Sequence, residues 1–313
     1  MSTDPAHDII QQVDAQQMRA DLYYLCDDPL PYRKLNYTLP GHDKSTLYEA
    51  DDYIQNKLEG WGYTVEKDDT RVQAFRRDTD KRPVSSQYDA PAPEDPWYIA
   101  HNIYAKKAGS ARPEEIIIAI AHKDSQSWID SPGANDNAVG TVGVLELARV
   151  LADYPSQRSI WFIWCNEEHI PWTSVTAAQA ARERGDNIIA VLNLDGIGRK
   201  SVQDVQAGRN VHVTVFTKPE GEAIADLMAQ VSESYGIGLE HSKAGRERPG
   251  DDDGSFINAG YPAAVINIGS WPYGDPNYHT EGDIADTADI ENAALSVQAL
   301  SAAMVHLDRN GAA

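Results

Sequence analysis

Residues 116–121 read Ile-Ile-Ile-Ala-Ile-Ala. A strand with one wet face alternates polar and apolar residues, so an unbroken apolar run of this kind belongs to a strand covered on both sides. That is the habit of parallel sheets, whose crossover helices lie on both faces. Ser159–Cys165, Ile188–Leu194 and Ala263–Ile268 are similar runs. Helical periodicity falls between them, at Ala138–Tyr154, Ser174–Arg184, Glu220–Ser234 and Ile290–Leu307. Trp97–Tyr104, Glu115–Ala121 and Val211–Phe216 complete the strand candidates. The alternation predicts an α/β fold, a three-layer α/β/α sandwich around a central mixed, mostly parallel sheet.

Ahead of this pattern, helices are expected near Ala15–Cys26 and Leu47–Glu59, with a short strand at Tyr63–Glu66. Residues 67–96 are polar and rich in Asp, Arg, Pro and Ser, and read as a long loop, either a functional rim or a flexible excursion rather than a linker. No shift in composition marks a boundary. One domain is expected over residues 1–313, with N-terminal helices over about 1–60 and an α/β core over about 97–313.

The formal net charge of -21 argues against nucleic acid, because binding phosphate needs a basic face. It argues equally against an acidic membrane surface, and solubility is its plainest meaning. Two cysteines, Cys26 and Cys165, make neither a disulfide framework nor a thiolate metal site. The first residues lack the basic and apolar regions of a signal peptide. No apolar run approaches the ~20 residues of a membrane helix. A soluble, cytoplasmic protein is expected.

The apolar runs share a second property, which is how they end. The first leads into His122-Lys123-Asp124, the next into Asn166-Glu167-Glu168, the third into Asp195-Gly196, and the last into a loop ending Tyr278-His279-Thr280. Sites in open α/β sheets assemble at the carboxyl ends of strands. Asp136 sits at the mouth of helix Ala138–Tyr154. Taken singly, Asp136 is a helix cap, Asp195 a turn residue, and each His or Glu a solvated loop group. Gathered at one rim, Asp136, Glu167, Glu168 and Asp195 would repel one another. Two divalent cations would remove the conflict. Imidazole and carboxylate without thiolate suit zinc, with manganese or cobalt possible. Asp124 lies on the same strand face as His122 and could accept its second ring N–H. Lys123 alternates away.

The series AHKDS, PGANDNAVG, NEEH, NLDGIG and NYHT resembles the di-zinc aminopeptidases, the family of bacterial leucyl aminopeptidases and, more distantly, glutamate carboxypeptidase. The resemblance runs from about residue 45 to the end. It implies a zinc exopeptidase acting on peptides, most simply an aminopeptidase, with two Zn2+ ions. Asp136 would bridge them, His122 and Asp195 would complete one site, and Glu168 and His279 the other. Glu167 would be the general base that takes a proton from the attacking water, and Tyr278 would donate to the developing oxyanion. Gly250–Ala263 matches an acidic stretch that shapes the site floor.

One motif departs. The family continues from its Glu pair with x-Gly-Leu-x-Gly-Ser, where this chain has His169-Ile170-Pro171-Trp172-Thr173-Ser174. The change borders the substrate pocket, and Trp172 is either a packing residue or a pocket wall. Arg246 and Arg248 are expected in a solvated loop. The alternatives to a peptidase are a single-zinc acyltransferase of the glutaminyl cyclase kind and a non-catalytic binding domain on the same fold. Against them stand five metal positions and an intact base.

Overall fold

The computed structural model describes residues 4–272 and 274–312. Three helices lead: α1 (Pro5–Ile10), α2 (Ala15–Cys26) and α3 (Thr46–Gly60). Asp4, Asp14 and Ser45 cap them through their side chains, satisfying amide groups that have no partner within the helix. Then follow β1 (Val65–Ala74), β2 (Arg76–Arg77), β3 (Tyr88–Asp89), β4 (Trp97–Lys107), β5 (Arg112–His122), α4 (Val139–Val150), β6 (Arg158–Cys165), β7 (His169–Ile170) and α5 (Thr173–Arg184). The chain continues through β8 (Asn187–Leu194), α6 (Val202–Ala207), β9 (Val211–Phe216), α7 (Pro219–Ser234), β10 (Glu240–Gly245), α8 (Asp251–Asn258), β11 (Ala264–Ile268) and α9 (Ile290–Asn310).

Nine strands form one mixed sheet in the order β10-β9-β11-β8-β5-β6-β4-β1-β7. Its four central strands, β11, β8, β5 and β6, run parallel, and antiparallel pairings flank them. The apolar run of β5 divides between two cores as strand geometry requires. Ile117, Ala119 and Ala121 pack with α2, α4, α7 and α9, whereas Ile116, Ile118 and Ile120 pack with α5 and α8. This is the three-layer sandwich expected from the sequence, with helices on both faces.

The polar stretch after residue 67 is not loop from its start. It begins as β1, which pairs with β4 from Val65↔Ala105 to Gln73↔Trp97. A strand at the flank of the sheet is held by its backbone ladder and needs few apolar side chains, so its composition reads as loop. Its exposed charges also discourage pairing with another chain. Residues 76–89 leave the main sheet and fold back as the small β2–β3 ladder, Arg76↔Asp89 and Arg77↔Tyr88. No helix among the described residues is long and apolar enough to cross a membrane.

Candidate metal centre

Because β5, β6 and β8 are parallel, their last residues reach the same edge of the sheet. β5 delivers His122, β6 leads to Glu167 and Glu168, and β8 delivers Asp195. Asp136 comes from the 134–138 turn that opens α4, where its φ and ψ are non-helical. The turn packs tightly on β8. A Cβ added at Gly140 would stand 2.2 Å from the Leu194 carbonyl oxygen. The Asn137 side chain ties the two segments by donating to that carbonyl at 2.8 Å and accepting from Gly196 N at 3.2 Å. His279 arrives from the loop that follows β11, with its backbone in the left-handed region at φ 55.

Two clusters share one carboxylate. His122 Nε2 lies 3.2 Å from Asp136 Oδ1 and 3.9 Å from Asp195 Oδ1. His279 Nε2 lies 3.1 Å from Asp136 Oδ2 and 3.4 Å from Glu168 Oε1. Within each group of three, one ligand atom per residue falls within 4.8 Å of the others. All five side chains are buried. Asp195 Oδ1 finds no hydrogen-bond donor among the described residues, and Asp136 Oδ2 faces the His279 imidazole. Buried carboxylate oxygens without donors are costly unless a cation faces them. The donor set therefore fits two divalent ions, and imidazole with carboxylate suits zinc.

The electrostatics agree. Burial works to lower the His122 imidazole, but Asp124 and Asp136, with the charges of Asp195 and Glu167, hold it well above its ordinary value. His279 is likewise pushed up to about 10, against its own burial, by Glu168 and Asp136. Burial, reinforced by Asp136, raises Asp195 to about 8. Glu167 is raised well above the usual carboxylate range, by burial first and then by Asp252 and Asp251. Asp136 is held well below its ordinary value by the two histidines, which outweigh its burial. Without ions, the cluster must share protons that divalent cations would displace.

Asp124 occupies the centre of the supporting network. Its carboxylate accepts from Glu167 N and Glu168 N, each at 2.9 Å, and contacts His122 Nδ1 at 3.4 Å and His169 Nδ1 at 2.8 Å. It thus orients both acidic residues as well as the histidine. His169, in the departing motif, was not assigned this part from the sequence, although its place directly after the Glu pair was a signal. Asp283 was also missed. Its two oxygens accept from Asn135 N at 2.9 Å and Asp136 N at 3.0 Å, fixing the turn that carries the shared carboxylate. Gln126 Nε2 donates to Asp136 O and Glu168 Oε1, both at 3.1 Å.

Glu167 and Tyr278 face a cavity of about 380 Å³ that opens on the clusters. Phe75, Tyr88, Trp128, Trp172 and Trp271 line it, so Trp172 is a pocket wall. Tyr278 stacks on His279 with ring centroids 3.8 Å apart. Asp251, from the expected acidic floor, also lines the cavity. Lys123 turns away to Asp51 at 2.8 Å and Asn166 Oδ1 at 3.0 Å. Arg246 is not solvated. It is mostly buried and paired with Asp251 and Asp253. A larger cavity of about 510 Å³, lined by Tyr23, Tyr32, Asp130 and Glu281, has no imidazole and no buried acid pair among the described residues.

Known proteins resemble this chain over most of its length. The sequence profile of Peptidase family M28 matches residues 102–304, which carry all five ligand candidates. A probable zinc metalloprotease of Pyrenophora teres f. teres is 29% identical over 197 residues, covering 52% of this chain. The chain spans only 40% of that relative's length. Leucine aminopeptidase 1 of Fusarium vanettenii is 27% identical over 293 residues, covering 90% of this chain and 67% of the relative. Among solved structures, an aminopeptidase from Aneurinibacillus sp. strain AM-1 superposes with a TM-score of 0.71 at 18% identity, covering 97% of this chain and 96% of the other.

Proposed function

Because the chain belongs to Peptidase family M28, we propose that it is a zinc-dependent aminopeptidase that removes N-terminal residues from peptides. In this reading His122, Asp136 and Asp195 hold one ion, and Asp136, Glu168 and His279 hold the other. The observation that carries it is the Asp136 carboxylate, which offers one oxygen to each histidine-containing cluster. When bound, such ions lower the pKa of a water and polarise a carbonyl.

The protein's own groups supply the rest. Glu167 borders the cavity and takes the proton of the attacking water, then returns it to the leaving amine. Asp124 fixes the Glu167 backbone through its amide, so the base is held relative to His122. Tyr278 lines the same cavity and donates its phenol to the developing oxyanion. Aromatic walls exclude water and receive an apolar side chain. No lysine or arginine lines this cavity among the described residues, whereas Asp251 does. With Asp251 already paired with Arg246 and no lysine or arginine in the lining, no side chain among the described residues here holds a carboxylate terminus, which supports aminopeptidase over carboxypeptidase.

The test joins metal content per chain with release of nitroaniline from a panel of aminoacyl-nitroanilides. About two zinc ions and chelator-sensitive release are expected. A single ion without release would favour acyl transfer of the glutaminyl cyclase kind, and no ion after reconstitution would favour a binding domain.

A further inference from the structure

The two histidines of the centre are held from different parts of the molecule. His122 ends its strand, and its Nδ1 faces Asp124, two residues on, at 3.4 Å. His279 is not held by the main sheet. Its Nδ1 lies 3.0 Å from the carbonyl oxygen of Ser85, in the short turn Val84–Ser86 inside the 76–89 excursion. Nε2 faces Asp136 and Glu168, so Nδ1 is the N–H that donates to Ser85. A fixed acceptor on the far nitrogen sets the tautomer and the ring plane of a ligating histidine.

Further contacts join the excursion to the same loop. Arg77 Nη1 reaches Glu281 Oε1 at 3.1 Å, two residues beyond His279. The Tyr88 ring meets the His279 ring edge to face at 5.8 Å, and Trp128 does so at 5.0 Å. Phe75 packs on both Tyr88 and Trp128, and its amide donates to Ser127 Oγ at 2.9 Å. His279 needs such external support. A non-glycine residue at φ 55 is strained in its own backbone, and surrounding contacts maintain it. The excursion's own ladder is a separate two-stranded sheet.

We propose that the 76–89 excursion is a strap that positions His279 for its ion, so that the ion at Asp136, Glu168 and His279 depends on the strap while the ion at His122, Asp136 and Asp195 does not. This rests on the two-ion reading above. The strap is a positioning element and takes no part in proton transfer. Because Phe75 and Tyr88 also wall the substrate cavity, a change that loosens the strap acts on metal retention and on the pocket together.

The experiment reads metal release and needs no turnover. Zinc-loaded wild-type protein is compared with a variant in which residues 79–86 are replaced by a short Gly-Ser linker, and with Arg77→Ala. Release into a chromogenic chelator is followed in time. Removing an outer hydrogen-bond partner of a ligand weakens metal binding by about 10–100-fold. One of the two ions is therefore expected to leave about 10–100-fold faster from the linker variant, while the other keeps its wild-type rate. Arg77→Ala should shift the same phase in the same direction by less, and Arg77→Lys should restore part of it. Should the linker variant not fold, Arg77→Ala decides alone. Unchanged release of both ions, or equal acceleration of both, overturns the proposal. Wild-type protein that takes up fewer than two ions defeats the parent reading and the strap together, whereas two wild-type ions with an indifferent strap defeat the strap alone.

Discussion

Two pairs of histidines, all buried but the half-buried His241, sit at different places in this fold, and they behave in opposite ways. His122 and His279 are pressed upward by carboxylates, His279 to about 10. His212 on β9 and His241 on β10 are pressed downward by burial, to about 3 and about 4. The second pair stacks with ring centroids 5.4 Å apart. Its partners are neutral: Ser296 and Asn267 for His212, and Thr214 for His241. Burial alone keeps imidazole neutral and inert, whereas buried carboxylates turn it into a cation in waiting. Neither residue of the β9–β10 pair belongs to a group of three potential metal ligands found among the described residues.

The sharpest way to break this comparison is at the shared carboxylate. Asp136→Ala should lose both ions and reduce kcat/KM by about 10⁴-fold or more, while His212→Gln should leave metal content unchanged. Retention of both ions by the Asp136 variant would end the bridging role. Next in size is Glu167→Gln, expected to lower kcat by about 10³-fold with full metal content. Near-normal turnover would remove Glu167 as the base.

Chelation comes third. Ions that bind only the folded state stabilise it by about 4 kcal/mol at a thousandfold excess over Kd. Their removal should lower Tm by about 5–10 °C, by calorimetry, in wild type and in His212→Gln alike. An unchanged Tm in verified metal-free protein would count against a preassembled acidic cluster.

The smallest effect belongs to the neutral pair. Below ~6.5, the ordinary histidine pKa, the unfolded chain takes up protons at positions 212 and 241. The folded chain resists until about 4 and about 3. Stability from this pair is therefore complete above pH ~6.5 and falls as pH drops, by about 1–2 kcal/mol per pH unit. Because the raised Asp195 titrates with the opposite sign in both proteins, the test is the difference: between pH 7 and pH 5, urea midpoints of metal-free His212→Gln should gain about 1–2 kcal/mol relative to metal-free wild type. An identical slope in that variant would place the titration elsewhere.

Much of this was legible in the chain, for reasons that particular residues make plain. The unbroken Ile116–Ala121 run could only belong to a doubly covered strand, and that located the edge to which His122 is carried. Asp195 and the Glu pair announced themselves by following similar runs. Asp283 did not. It acts on a backbone turn 147 residues earlier, and in sequence it is one more acid in a polar loop. β1 was hidden for a different reason, since a strand held by its ladder at the sheet's flank carries no apolar pattern to read. Ser85 acts through its carbonyl oxygen, a group every residue has, so no side-chain pattern could mark it.

The order of the sheet has a consequence for how the protein is made. β11 lies between β8 and β9, yet it is synthesised after both. A chain leaving the ribosome must keep that slot open until residue 268 has emerged, and His279 follows only eleven residues later. The cluster of His122, Asp136 and Asp195 is complete in sequence well before then. Translation therefore delivers the ligand candidates in order, and the cluster that includes His279 is complete in sequence only after the last inner strand.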